Sequence, residues 1–137
     1  MLIKGTRVEH HEQFGLWVKR EDLSCPPPGP PFSKTRGVWA HIQARPEKVI
    51  GVLDTLHSQA GHAVAAACKL LGRSCVNYYP VFKREGVNPP LRPAQAAAYR
   101  LGAAVIALPA GRSAILYHQA RKRLQQDRVP LGPDDGE

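Results

Sequence analysis

Along this chain the spacing of apolar positions switches repeatedly between the two-residue period of a strand and the near-four-residue period of a helix. "FGLWVKRE" (14–21) reads as a first strand or an extended entry. In "SKTRGVWAHIQA" (33–44), Lys34, Val38 and Ile42 recur at spacing four with Trp39 beside them, which predicts a helix. Ser33 is placed to cap that helix and Pro46 to close it. "KVIGVL" (48–53) has the length and β-branched content of a buried strand. "SQAGHAVAAACKLLG" (58–72) predicts a second helix, with Val64, Ala65, Cys68 and Leu71 as its apolar stripe, Ser58 as a cap and Gly72 as its stop. "SCVNYYPV" (74–81) follows as a strand and "RPAQAAAYRLG" (92–102) as a helix with Pro93 in its first position. "AAVIALP" (103–109) is a further strand, and "RSAILYHQARKRLQQD" (112–127) a last helix with Leu116, Ala120 and Leu124 on one face. The loop 82–91 is the longest polar interruption in the second half.

Strands separated by helices of this length imply a parallel sheet with helices packed against it. The expected fold is α/β: a three-layer unit with a parallel sheet of about four strands flanked by helices. Residues 1–130 are expected to form one domain and 131–137 a polar tail. The chain has 137 residues and is 43% apolar, enough for a core and too much for a disordered segment. Its apolar runs fall short of the roughly 18 residues that a membrane span needs. The N-terminus shows no apolar signal-peptide core. Cys25, Cys68 and Cys75 form no metal or redox motif, and a reduced, cytoplasmic protein is the simplest expectation.

The charge adds a partner class. Nineteen Lys and Arg stand against eleven Asp and Glu, a net charge of +8. Such an excess favours an anion: a phosphorylated cofactor, an acidic substrate or nucleic acid. Ligands of an open parallel sheet bind beyond the carboxyl ends of its strands. Two segments there combine glycine, hydroxyls and a helix start, namely "DTLHSQAGH" (54–62) and "PAGRS" (109–113). Helix N-termini offer free N–H groups to a phosphate or carboxylate. No GxGxxG, GxxxxGK[ST], CxxC or HExxH pattern occurs, and the six histidines have no metal-ligand spacing, so no metal site is expected.

Lys34 stands at a helix start, where the dipole disfavours a cation. Arg36 and Lys19 are expected to add positive potential, and the shared face with Val38 and Ile42 to turn Lys34 toward the core. All three would favour the neutral, nucleophilic amine. The alternative is a lysine lying along the helix edge with its charge in water.

The order "VKREDL" (18–23), "FSKTRG" (32–37), then a strand and "HSQAGHAVAAACKLLG" (57–72) resembles the fold-type II enzymes that use pyridoxal phosphate. Within them it is most similar to the aminocyclopropane-carboxylate deaminase and D-cysteine desulfhydrase branch, over roughly residues 14 to 108. The resemblance implies a tryptophan-synthase-beta-like fold, truncated to its N-terminal part. It implies that Lys34 forms the Schiff base with the cofactor and shuttles the substrate α-proton. Ser58 would hold the substrate carboxylate and help handle protons, Gln59 would meet the cofactor ring hydroxyl, and His62 would line the carboxylate site. The implied activity is elimination or deamination of a small amino acid.

The chain departs from the family pattern in its proline-rich lead "PPFSKTRG" and in Ser58-Gln59, where the family has Ser-Asn. The family's phosphate-holding loop and the residue facing the pyridine nitrogen belong to a second domain. A homo-oligomer or a completing partner chain is therefore expected. Two rival readings stand beside this one. The first is an inactive member of the fold that binds protein or nucleic acid through Lys83, Arg84, Arg112, Arg121, Lys122, Arg123 and Arg128. The second is a phosphoribosyltransferase-like enzyme in which Asp54 takes the ribose hydroxyls.

Overall fold

The computed structural model describes residues 5–25, 27–31 and 33–128, with the side chains of 127 and 128 outside that description. The polar tail and the Arg128 side chain thus lie outside the described part. Two strands, β1 (Arg7–His11) and β2 (Leu16–Arg20), form an antiparallel hairpin. Then come α1 (Lys34–Gln43), β3 (Val49–Leu53), α2 (Ala60–Leu71), β4 (Ser74–Val81), α3 (Pro93–Arg100), β5 (Ala104–Pro109) and α4 (Ser113–Arg128).

Strands β3, β4 and β5 make one parallel sheet in that order, with Leu53 opposite Tyr78 and Val81 opposite Pro109. The segment 14–21 does not extend this sheet. Its strand pairs with β1 instead, a partner that the charged sequence "RVEHH" does not advertise.

Two cores form on the two faces of the sheet. On one, Ile42, the run Val64–Cys68, Cys75, Ala98, Leu101 and Ala103 close the space between α1, α2, α3 and the strands. On the other, Leu116 and Ala120 of α4 pack on Tyr78 and Leu108. The alanine-rich sequence of α2 is what lets it sit so close, since Ala63, Ala65 and Ala67 are at most 1% exposed. Gly51 does the same for α4: a Cβ there would stand 2.5 Å from Leu124 Cδ2. At the end of α2, Gly72 takes the left-handed conformation (φ 66°) and the Arg73 N–H closes back on the Cys68 carbonyl at 2.8 Å.

The loop 82–91 is braced. Its first turn, Lys83–Glu85, is held because Glu85 accepts a bond from the Phe82 N–H at 2.7 Å and from Arg92 at 2.8 and 2.9 Å. Arg92 also donates to the Pro80 carbonyl.

Candidate functional site

The parallel sheet places the starts of α2 and α4 at one end, the carboxyl end of the strands. α1 reaches the same end by a different route. Its C-terminal turn is held at the opposite end by the Arg73 guanidinium, which donates to the carbonyls of Ile42, Arg45 and Glu47. Ten helical residues, about 15 Å, then carry Lys34 back toward the carboxyl ends. A direct contact joins the two motif segments there: His62 Nε2 lies 2.9 Å from the carbonyl oxygen of Pro28, in the lead to Lys34. The proton of that bond belongs to Nε2, because the carbonyl can only accept.

Lys34 is exposed, contrary to the expectation of a core-facing amine. Thr35 takes the inward direction and is fully buried, and Ile42 continues the buried line. A side chain on the first helical residue leans toward the helix's own start, past the packed turns. Ser33 has helical backbone angles and makes no side-chain cap. Among the described residues, the Lys34 amine makes no hydrogen bond or ion pair.

Lys19 and Arg36 do not supply loose positive potential. Both bind Glu21, Lys19 at 2.9 Å and Arg36 at 3.1 Å, while Thr6 donates to the same carboxylate at 2.8 Å. Lys19 and Thr6, with the nearby charge of Arg36, hold the Glu21 carboxyl below its ordinary pKa. The "KRED" segment is thus the fastening between the hairpin and α1. Arg20 pairs with Asp22 and Glu9 within the same network.

The start of α2 differs from the expected open anion site. Asp54 is fully buried and is itself the anion there. Its Oδ1 accepts the Gly61 N–H at 2.7 Å, and its Oδ2 accepts Asn77 Nδ2 at 3.0 Å and Gln95 Nε2 at 2.9 Å. Asn77 and Gln95 are fully buried too. A carboxylate beneath a helix N-terminus meets both the free N–H groups and the positive dipole end. Asp54 is therefore closed to a ribose hydroxyl, and the phosphoribosyltransferase-like reading loses its key residue. Gly61 has no room for a side chain, since a Cβ would run into Asn77 and Asp54.

Around that buried anchor, the remaining predicted residues stay accessible. Ser58 is half-buried, and its Oγ accepts the Ala60 N–H at 3.0 Å, so its own proton is free to donate. Gln59 is exposed, with Oε1 3.4 Å from His62 Nδ1. Neither these residues nor Lys34 line the cleft of about 600 Å³ that runs along the open edge of β3 between α1 and α4, past Val38, His41, Tyr117 and Leu124.

The sequence reading missed Glu21, Asn77, Gln95 and Gly61. A usable signal existed for two of them. Asn77 interrupts an apolar strand and Gln95 sits among the alanines of a helix, positions where a polar side chain needs a buried partner.

The basic residues separate into two groups. Lys83, Arg84 and Arg112 follow β4 and β5 at the carboxyl end, whereas Arg121, Lys122 and Arg123 lie further along α4. All six are exposed. Among the described residues, no group of His, Cys, Asp and Glu could hold a metal ion, and no helix is long and apolar enough to cross a membrane.

No family model matches the chain. It is 54% identical over 129 residues to the glycyl-dTMP PLP-dependent decarboxylase of Pseudomonas phage M6, which covers 93% of this chain and 46% of that protein. The chain thus spans about half the length of this curated relative. Among solved structures, a hydrogen sulfide-producing enzyme of Fusobacterium nucleatum superposes over 92% of this chain and 41% of its own, with a TM-score of 0.58 and 15% identity. The apo diaminopropionate ammonia lyase of Escherichia coli aligns over 65% of this chain and 22% of its own, with a TM-score of 0.42 and 21% identity.

The chain has an α/β architecture with a parallel sheet flanked by helices, consistent with a truncated tryptophan-synthase-beta-like fold. The residues at this end would suit one wall of a pyridoxal-phosphate site: the Lys34 amine has no partner among the described residues, and Ser58, Gln59 and His62 form a polar turn. The Gly61 N–H at the start of α2 is already bonded to Asp54.

Proposed function

We propose that this chain is the lysine-bearing part of a pyridoxal-phosphate-dependent decarboxylase that acts on an amino-acid group carried by a thymidine nucleotide. The observation that carries this reading is the 54% identity to the phage decarboxylase over nearly the whole chain, including both motif segments. Decarboxylation stands beside the elimination or deamination expected from the motifs, as another reaction at the substrate α-carbon. Pyridoxal phosphate, when bound, withdraws electrons from the bonds at the substrate α-carbon. The bond that breaks is decided by how the protein orients the carboxylate and positions its proton carriers.

In this reading Lys34 would hold the cofactor through its amine and would carry a proton at Nζ. The Ser58 hydroxyl and His62 orient the substrate carboxylate, and Gln59 reaches the cofactor ring. Asp54 acts from behind by fixing the α2 turn. Further walls, including the phosphate site, would come from residues outside those described, a second copy or a completing chain among them.

The test is to add pyridoxal phosphate, reduce with borohydride and locate the adduct by mass spectrometry. The expected label is on Lys34 and is lost in Lys34→Ala. A label spread over Lys48, Lys69 and Lys83 according to exposure would refute the role.

A further inference from the structure

We infer that His62 is a clasp: its Nε2–H holds the proline-rich approach to α1 through the Pro28 carbonyl and so fixes where Lys34 stands. The inference rests on the reading of Lys34 above and adds a residue that positions it.

The first argument is what the approach lacks. Pro27, Pro28, Pro30 and Pro31 have no N–H, so across 27–31 only Gly29 can donate a backbone hydrogen bond. Such a segment is held by hydrogen bonds mainly through its carbonyl oxygens, and the donors must come from elsewhere. His62 is such a donor, with Nε2 2.9 Å from the Pro28 oxygen across 34 positions of chain.

Packing is the second argument. Cys25 and Pro30 are buried, but between them Pro27, Pro28 and Gly29 border a pocket of about 230 Å³ against Ala66 and Leu70 of α2. A gap forfeits the dispersion contacts that would otherwise seat the segment. A directed bond then carries more of its placement.

The start of α1 gives the third. Ser33 makes no side-chain cap there. Arg36 fastens one side of that turn to Thr6 and Glu21. The approach is the other side, and His62 fastens it. Proline fixes its own φ, so a carbonyl held at Pro28 passes its position along a segment with few free torsions. The second ring nitrogen, Nδ1, faces Gln59 at 3.4 Å, so the ring ties the α2 turn to the approach.

The experiment uses the full chain and two variants, His62→Asn and His62→Gln, each checked for folding by circular dichroism. The glutamine amide can take the place of Nε2, whereas the asparagine amide stops near the position of Nδ1 and falls short of Pro28. Cys25 lines the same pocket and is 4% exposed, so its alkylation by iodoacetamide reports opening of the approach. Burial also pushes its thiol pKa up, which keeps it unreactive while the approach is closed. Cys68 of α2, 1% exposed, is the reference.

His62→Asn should alkylate Cys25 on the order of tenfold faster, the effect of one lost hydrogen bond, with Cys68 unchanged. Amide exchange over residues 33–37 should accelerate, and borohydride-trapped labelling of Lys34 by pyridoxal phosphate should slow severalfold. His62→Gln should restore all three.

No change in His62→Asn, equal acceleration at Cys25 and Cys68, or a His62→Gln variant that behaves like His62→Asn would each overturn the inference. So would Lys34 labelling that stays at the parent rate while Cys25 opens. Alkylation and amide exchange need neither cofactor nor the Lys34 amine. A parent chain that gains no Lys34 label would therefore defeat the proposed chemistry and leave the clasp to be decided by those two readouts.

Discussion

Two of the helices that begin at the carboxyl end of the sheet, α1 and α2, each have one charge at their start. Lys34 opens α1 and is exposed, without a partner among the described residues. Asp54 lies beneath the start of α2, fully buried, with three N–H groups bonded to it. One charge is available for chemistry because nothing in the described structure uses it. The other is spent on structure, in a position that sequence motifs would readily assign to a ligand. Charge at a helix start does not by itself separate the two roles. Burial and the count of bonded donors do.

The largest expected effect breaks the buried side of this contrast. Asp54→Ala leaves the Gly61 N–H, Asn77 and Gln95 without their acceptor inside the protein. Each unsatisfied buried donor costs about 1–3 kcal/mol, so the loss should reach about 3 kcal/mol or more. Urea denaturation reads it as a lower midpoint, and an unchanged midpoint would remove Asp54 from the anchoring role.

Gly61→Ala tests the same anchor through space rather than bonding. Its new methyl group must displace Asn77 or Asp54, and overpacking of this kind costs about 1–3 kcal/mol. A variant as stable as the parent would mean that the turn is not tightly fixed.

Lys34→Ala should do the reverse of Asp54→Ala. Stability should stay within about 0.5 kcal/mol of the parent, as for other exposed sites, while the cofactor adduct disappears. A thermal midpoint far below the parent's would show that Lys34 is structural after all.

The smallest effects sit at the hairpin. Glu21→Gln keeps the shape of the side chain and removes its charge, which weakens its hold on Lys19 and Arg36. Amide exchange across residues 7–20 should accelerate, with little change in α2. The same bonds give the hairpin a pH dependence. Glu9, Glu21 and Asp22 are all held below their ordinary pKa by neighbouring cations and hydrogen bonds. Their contribution is therefore complete above the unfolded-state values and is lost as the pH falls through the lower folded values. Exchange in the hairpin should rise in that acidic window and be flat above it.

Periodicity alone located each of the four helices and the three strands of the parallel sheet, because those segments bury one face or both. The hairpin partner β1 was invisible for the opposite reason. "RVEHH" buries little and is held by pairing with β2 and by the ion pair of Glu9 with Arg20. The site was legible as a set of segments, and its physical logic was not. Lys34 was expected to face the core because it shares a spacing with Val38 and Ile42. The inward position belongs to Thr35, because a first-turn side chain leans off the end of the helix. Asp54 looked like a ligand contact because sequence shows a carboxylate beside a glycine turn and cannot show Asn77 and Gln95 arriving from other elements.

By itself the sequence determined the alternation of strands and helices, hence the parallel sheet and the end at which a ligand belongs. It also determined the family likeness carried by the lysine and serine segments. Those are properties of local pattern, which adjacent residues fix together. Tertiary structure alone decided which charges are free. Asp54, Asn77 and Gln95 are far apart along the chain and satisfy one another only when α3 closes over β4. Lys34 has no partner among the described residues, while Glu21 of the "KRED" segment is bound to Lys19 and Arg36.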